Sequence, residues 1–141
     1  MSISKEAIIQ PFTMPSGPSI FFDVDDTLIK WTPVDVEIPD NEAVTIDCSG
    51  FEKKYKFNKY NVDMLINMAI RGHVVVVWSG SGPKWCEAVV KALKLESYVW
   101  AVMSKPSYYV DDRQDSSSWI GKWHFTDFDG NKLHNWDSVI K

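Results

Sequence analysis

A chain of 141 residues and 16.2 kDa is the size of one domain, and such a domain buries roughly 68–70% of the surface its unfolded chain exposes. With 45% hydrophobic, 13% aromatic and 24% charged residues, the composition is globular and excludes a disordered, collagen-like or coiled-coil chain. A formal charge of −4 with a pI near 5.3 gives no whole-molecule attraction for polyanions, so net charge does not support nucleic acid as a partner and any such contact needs a local patch.

Residues 1–19 carry Pro11, Pro15 and Pro18 around Ser16-Gly17, punctuation that suits an extended arm. The apolar stretch Ala7-Ile8-Ile9 is too short for the core of a signal peptide, and a cytoplasmic location is the expectation. Ile20, Phe22 and their neighbour Phe21 lead abruptly into Asp23, the pattern of a short buried strand that ends at a polar rim. Residues 42–57 alternate, with Val44, Ile46 and Cys48 on one face and Thr45, Asp47 and Ser49 on the other. Ser49-Gly50 supplies the turn of a β-hairpin flap. Asn58 caps a predicted helix that runs to Ile70 and places Val62, Leu65, Ile66 and Ala69 on one face, with Arg71-Gly72 stopping it.

Val74 to Trp78 is a continuous apolar run bounded by Gly72 and Gly80, as expected of a strand covered on both faces in a parallel sheet. It is among the longest such runs, far short of the roughly 20 residues that span a bilayer, so no membrane partner is expected. Pro83 stands at the first turn of a second helix carrying Trp85, Ala88, Val89 and Ala92 at helical spacing. Tyr98–Met103 and Ser107–Val110 read as two further strands. Only Ser104, Lys105 and Pro106 separate them, whereas a parallel crossover needs roughly 10 to 12 residues, so one of the two is shorter or less regular than its composition suggests. Residues 114–141 form a C-terminal extension, in which Gln114–Ser118 is a polar loop and Trp119, Gly121, Trp123 and Phe125 alternate as a last strand. The alternation of strands and helices predicts a single α/β domain with a mainly parallel sheet. Cys48 and Cys86 make no disulfide framework and no metal pair, and read as two reduced thiols.

Four features fall at the C-terminal ends of predicted strands, where open α/β sheets place their ligands: Asp23-Val24-Asp25-Asp26-Thr27, Ser79-Gly80, Lys105 and Asp111-Asp112. In an extended segment residues two apart point the same way, so Asp23 and Asp25 can face one cavity while Val24 packs. Two carboxylates 4 Å apart repel by about 4 kcal/mol at an effective dielectric near 20, and convergence of Asp111 on them would demand a cation. Oxygen donors with no nearby thiol or imidazole suit a hard ion, and Mg²⁺ held by few carboxylates, waters and substrate phosphate fits this donor set best. A nucleophile, an acid/base, a hydroxyl and a fixed positive charge are the parts of a covalent phosphoryl transfer.

At these residues the sequence resembles the haloacid dehalogenase superfamily of phosphohydrolases, whose pattern is a buried strand followed by DxDxT, a later strand ending in Ser or Thr, a Lys, and an acidic pair. Phe22-Asp23-Val24-Asp25-Asp26-Thr27-Leu28 matches the first element, and the likeness spans roughly residues 20–113. The resemblance implies a three-layer, Rossmann-like fold and a phosphatase acting through an aspartyl-phosphate. In it Asp23 attacks phosphorus, while Asp25 protonates the leaving oxygen and later activates water. Ser79, with Gly80, and Lys105 bind the phosphate, and Asp111 with Asp112 holds Mg²⁺ alongside Asp23 and the carbonyl of Asp25. Lys84 and Lys91 are rivals for the lysine. The stretch between the first two strands leaves no room for a separate cap domain. The chain therefore looks like a capless member, whose phosphorylated substrate is a nucleic-acid end, a nucleotide, a phosphoprotein or a small metabolite.

Other readings compete. The same fold would serve as a non-catalytic phosphate-binding or protein-interaction module, or as a phosphotransferase using the same residues on a different acceptor. Asp127-Phe128-Asp129-Gly130 repeats the acidic motif superficially but follows a poorer strand, and reads as a turn. His73, His124 and His134 lack a metal-binding spacing. Lys53, Lys54, Lys56 and Lys59 interleave with Tyr55, Phe57 and Tyr60, a pattern that is usually the wet face of a hairpin, although a flap over the site would steer an anion. Trp31 and Trp85 each follow a motif loop and stand where they could flank the site mouth.

Overall fold

A computed structural model describes residues 15–35 and 37–112. In chain order they form β1 (Ser19–Asp23), a 3₁₀ turn (Asp40–Glu42), β2 (Ala43–Cys48), β3 (Phe51–Lys56), α1 (Lys59–Ile70), β4 (Val74–Ser79), α2 (Pro83–Ala92) and β5 (Ala101–Ser104). The architecture is mixed α/β: a parallel sheet of order β1-β4-β5, three-stranded among the described residues, and a separate antiparallel hairpin of β2 and β3.

The valine run takes the middle of the sheet, where β-branched side chains suit the pleat and both backbone edges are paired. Ile20 and Phe22 of β1, Val75 and Val77 of β4 and Val102 of β5 come into one core. Val62, Leu65 and Met68 of α1, Cys86, Val89 and Val90 of α2, and Ile46 of β2 complete it. Phe21, Val76 and Trp78 alternate with these residues, and the rings of Phe21 and Trp78 meet edge to face at a centroid distance of 4.6 Å. Phe21 remains 40% exposed. On β4 itself Val75, Val76 and Val77 are all buried, as expected of a strand covered on both faces, and the helices α1 and α2 pack on the face of Val75 and Val77.

Local signals account for the element ends. Asn58 accepts a hydrogen bond from the Asn61 amide at 3.0 Å, which satisfies one of the free donors of the first turn of α1. Gly72, at φ +93°, takes the left-handed conformation that ends this helix. Ser49 and Gly50 both have positive φ, 55° and 87°, as a two-residue hairpin turn requires. On α1 the predicted face is right at Val62 and Leu65, while Ile66 and Ala69 are half-buried and Asn61 and Met68 are fully buried.

Two expectations change. Ser107–Val110 is not a strand: its chain is irregular, and Tyr108 and Val110 are 91% and 100% exposed. The three-residue link through Pro106 is too short to carry a parallel crossover. Likewise Tyr98–Trp100 is the turn that leads into β5, which begins at Ala101. The arm gives way to β1 already at Ser19, and its last residues are tied down by Gly17 donating to the Gly72 carbonyl and Pro18 accepting from Val74. Most of the arm, the expected strand at Trp119–Phe125 and Asp127–Gly130 lie outside the described residues.

Leu65 is fully buried in the core, so Leu65→Ala is expected to lower the unfolding free energy by about 2–5 kcal/mol. Denaturant titration checks this, and a loss below about 1 kcal/mol contradicts the packing described.

Candidate active site

The parallel register sets Asp23 opposite Trp78 and Ser79 opposite Ser104, so the three strands end almost level. One residue beyond β5, the Lys105 amide still donates to the Ser79 carbonyl at 3.1 Å, which fixes where the lysine leaves the sheet. Its Nζ lies 2.8 Å from Asp23 Oδ1. The other oxygen, Oδ2, accepts from the Thr27 hydroxyl at 2.9 Å.

The loop after β1 is closed by its own backbone. Val24 is fully buried, and its carbonyl accepts from the amides of Thr27, Leu28 and Ile29 at 3.2, 2.9 and 3.2 Å. Asp26 has φ +63°, a left-handed conformation that Asp tolerates better than most residues. Its carboxylate turns to the loop, accepting from the Trp31 amide at 2.9 Å. Asn61, fully buried on α1, donates its side-chain amide to the Thr27 carbonyl at 3.0 Å and so pins the loop to the helix.

Asp25 is held by neutral donors. Oδ2 accepts from Ser79 Oγ at 3.0 Å and from Ser81 Oγ at 3.4 Å, and Oδ1 accepts from Trp85 Nε1 at 2.8 Å. Ser79 Oγ in turn accepts from the Ser81 amide at 2.9 Å. Ser79 is completely buried, and here it orients Asp25. Gly80 is exposed, with open space where a Cβ would stand.

Four of the sequence-predicted residues, Asp23, Asp25, Ser79 and Lys105, therefore form one hydrogen-bonded cluster. Lys105 pairs with Asp23, whereas Lys84 and Lys91 are exposed on α2. Asp111 and Asp112 lie on exposed chain beyond β5. Among the described residues no three His, Cys, Asp or Glu side chains gather closely enough to hold a metal ion. The donor set of Asp23 and Asp25 is nevertheless of the kind that suits Mg²⁺: carboxylate oxygens, with the nearby thiol of Cys86 turned to the Met103 carbonyl at 3.7 Å. Sequence reasoning did not assign Ser81, Trp85 or Asn61 to these contacts. The available signals were a polar residue inside the buried stripe of α1 and an indole N–H just after the serine-glycine loop.

The carboxylates reach beyond their hydrogen bonds. Burial, then Asp25 and Asp23, push the Cys86 thiol up to about 12. Burial and then Asp25 raise Tyr55, which stands against Trp85 at a centroid distance of 5.6 Å. No protein-family model matches this chain, and no curated protein matches its sequence, so a chemical reading rests on these residues and their geometry.

At pH 8, iodoacetamide is expected to modify Cys48 well before Cys86, with mass spectrometry following each site, because only the thiolate reacts. Equal rates contradict the burial and charge described for Cys86. The raised thiol favours the protonated fold, so its contribution to stability is complete below the ordinary thiol value of 9.0 and is lost as pH rises toward about 12.

Proposed function

We propose that this protein is a Mg²⁺-dependent phosphomonoester hydrolase that works through an aspartyl-phosphate on Asp23. The observation that carries the reading is the cluster at the sheet edge, where Asp23 is paired with Lys105 at 2.8 Å and Asp25 is bound to Ser79 at 3.0 Å. The resemblance of Asp23-Val24-Asp25-Asp26-Thr27 to the haloacid dehalogenase motif supports it, as does the place of the cluster at the C-terminal ends of parallel strands.

In the first step an Asp23 oxygen attacks phosphorus, the bond to the leaving oxygen breaks, and Asp25 delivers a proton to that oxygen. In the second, Asp25 takes a proton from water, the water oxygen attacks phosphorus, and the bond to Asp23 breaks to release inorganic phosphate. Thr27 keeps the Asp23 carboxylate oriented through Oδ2, and orientation of this kind supplies much of the rate in covalent catalysis. Lys105 offsets the charge that accumulates when a phosphate meets two carboxylates. The exposed backbone at Gly80, and the buried Ser79 hydroxyl once it turns from Asp25, bind the transferring group. Mg²⁺ would be held by Asp23 and the Asp25 carbonyl, with Asp111 and Asp112 as the further carboxylates that the resemblance offers, and would neutralise further phosphate charge.

Asp23→Asn is expected to abolish hydrolysis of an aryl phosphate, while thermal unfolding stays near that of the unaltered chain. Chelation is expected to silence the unaltered chain and added Mg²⁺ to restore it. A folded Asp23→Asn variant with near-normal turnover removes Asp23 from the nucleophile's role, and chelator-resistant turnover removes the metal.

Lys105→Ala is expected to lower kcat by about 100-fold or more, the scale of losing a preorganised charge partner, whereas Lys84→Ala leaves it within about twofold. Steady-state kinetics decide between them, and the reverse order reassigns the phosphate lysine.

A further inference from the structure

A second feature opens directly beside Asp25. Trp31, Pro33, Lys53, Tyr55, Ser81 and Trp85 line a cleft of about 490 Å³, within the range of about 300–1,000 Å³ that small-molecule sites occupy. Two of its residues, Ser81 and Trp85, are among the three side chains that donate to the Asp25 carboxylate. On the reading above, Asp25 protonates the leaving oxygen, so whatever is attached to that oxygen must extend away from Asp25 into the space next to it. The cleft shares Ser81 and Trp85 with that site.

Its lining is chemically specific. The rings of Tyr55 and Trp31 stand against Trp85 at centroid distances of 5.6 and 6.4 Å and interplanar angles of 67° and 85°. In an edge-to-face contact the edge of one ring meets one face of the other, and the remaining faces of the pair stay uncovered by it. Trp31 is 54% exposed, a large apolar surface held in place by its neighbours and ready to stack on a planar ring. Lys53 adds a positive charge at the wall. On β3, Lys53 and Tyr55 lie opposite Ile46 and Val44 of β2, so they share the face of the hairpin that turns to the core, while Lys54 and Lys56 belong to the other face. The lysines of the hairpin are therefore not one wet stripe.

We propose that this cleft is the leaving-group subsite and takes a nucleoside phosphate, with the base stacked on Trp31 beside Tyr55 and Trp85 and a second phosphate drawn to Lys53. The proposal rests on the phosphatase reading for its direction, but its content is binding, and the two are separable. Three aromatic rings with a lysine suit a base and a further anion better than they suit a polyol phosphate, which offers nothing to stack, or phosphotyrosine, which brings a ring but no second phosphate. A free nucleotide and the terminal residue of an oligonucleotide share this chemistry.

The test uses the full chain with adenosine 3′,5′-bisphosphate as probe, and glycerol phosphate and phosphotyrosine as comparators. Turnover is measured with the unaltered chain, and equilibrium binding with Asp23→Asn. The bisphosphate is expected to be preferred in both. Trp31→Ala is expected to reduce that preference roughly tenfold, the scale of losing one base-stacking contact. Most of the change is expected in KM rather than kcat, with Trp31→Phe recovering much of it. Lys53→Gln is expected to weaken the bisphosphate more than adenosine 5′-monophosphate. Trp31 is exposed and its loop contact to Asp26 is made by its backbone, so the fold is retained, as thermal unfolding will check. A phosphorylated tetranucleotide preferred over the bisphosphate identifies a strand end as the source, and the reverse identifies a free nucleotide. Equal preference for glycerol phosphate, a preference for phosphotyrosine, or insensitivity to Trp31→Ala overturns the subsite while leaving the phosphatase standing. Stacking-dependent binding of the bisphosphate without turnover of any phosphate upholds the subsite and overturns the phosphatase.

Discussion

The pairing of β4 with both of its neighbours is the constraint on which the site depends. Adjacent strands lie about 4.8 Å apart, and with Asp23 opposite Trp78 and Ser79 opposite Ser104 the chain leaves the sheet three times across a span of about 10 Å. Side chains at those exits are brought within hydrogen-bond reach by the backbone ladder alone. A slip of one residue in either pairing would exchange the faces of a strand, taking Val75 and Val77 out of the core and Ser79 away from Asp25. The valine core thus enforces the register, and the register enforces the distances of the cluster.

The hairpin is bound into the same framework. The amides of Lys30 and Val34 donate to the carbonyls of Lys56 and Lys54, and the amide of Asn58 donates to Leu28. Backbone bonds therefore run from β3 and the start of α1 to the segment just after the Asp23–Thr27 loop. Held this way, the hairpin and the loop that carries both carboxylates belong to one hydrogen-bonded framework. Tyr55 against Trp85, and Trp85 on Asp25, give a second route between flap and carboxylate through side chains.

Much of this was legible in the sequence because it is encoded locally. An apolar run stopping at Asp23, a valine run stopping at Ser79, an Asn cap at Asn58 and a Ser-Gly turn each depend on a few adjacent residues. The spacing that placed Lys105 just after a strand also foretold trouble with Ser107–Val110, and the short link did exclude a second strand there. What the sequence did not reveal depends on three-dimensional approach. Nothing in the pattern of Trp85 says that its N–H rather than its ring is the important part, and Asn61 looks like an interruption of a helical stripe until Thr27 is seen across from it. Pattern likewise could not divide the lysines of β3 between two faces without knowing which of them opposes Ile46.

The two carboxylates are held by partners of different kinds, and on the proposed reaction that difference assigns work to individual oxygens. Asp23 meets a cation on one side and a hydroxyl on the other, which suits a group that keeps its place while phosphorus approaches. Asp25 has one oxygen bound to an indole N–H and the other to the hydroxyls of Ser79 and Ser81. An indole N–H is a donor only, whereas a hydroxyl can rotate and serve as donor or acceptor. Oδ1 is therefore pinned, and Oδ2 is the oxygen whose partners can turn toward an arriving phosphoryl group. That turn would at once solvate the phosphate and release Oδ2 to carry the transferred proton. On that reaction a phosphate competes with Asp25 for the hydroxyls of Ser79 and Ser81, while the indole of Trp85 keeps Asp25 in place.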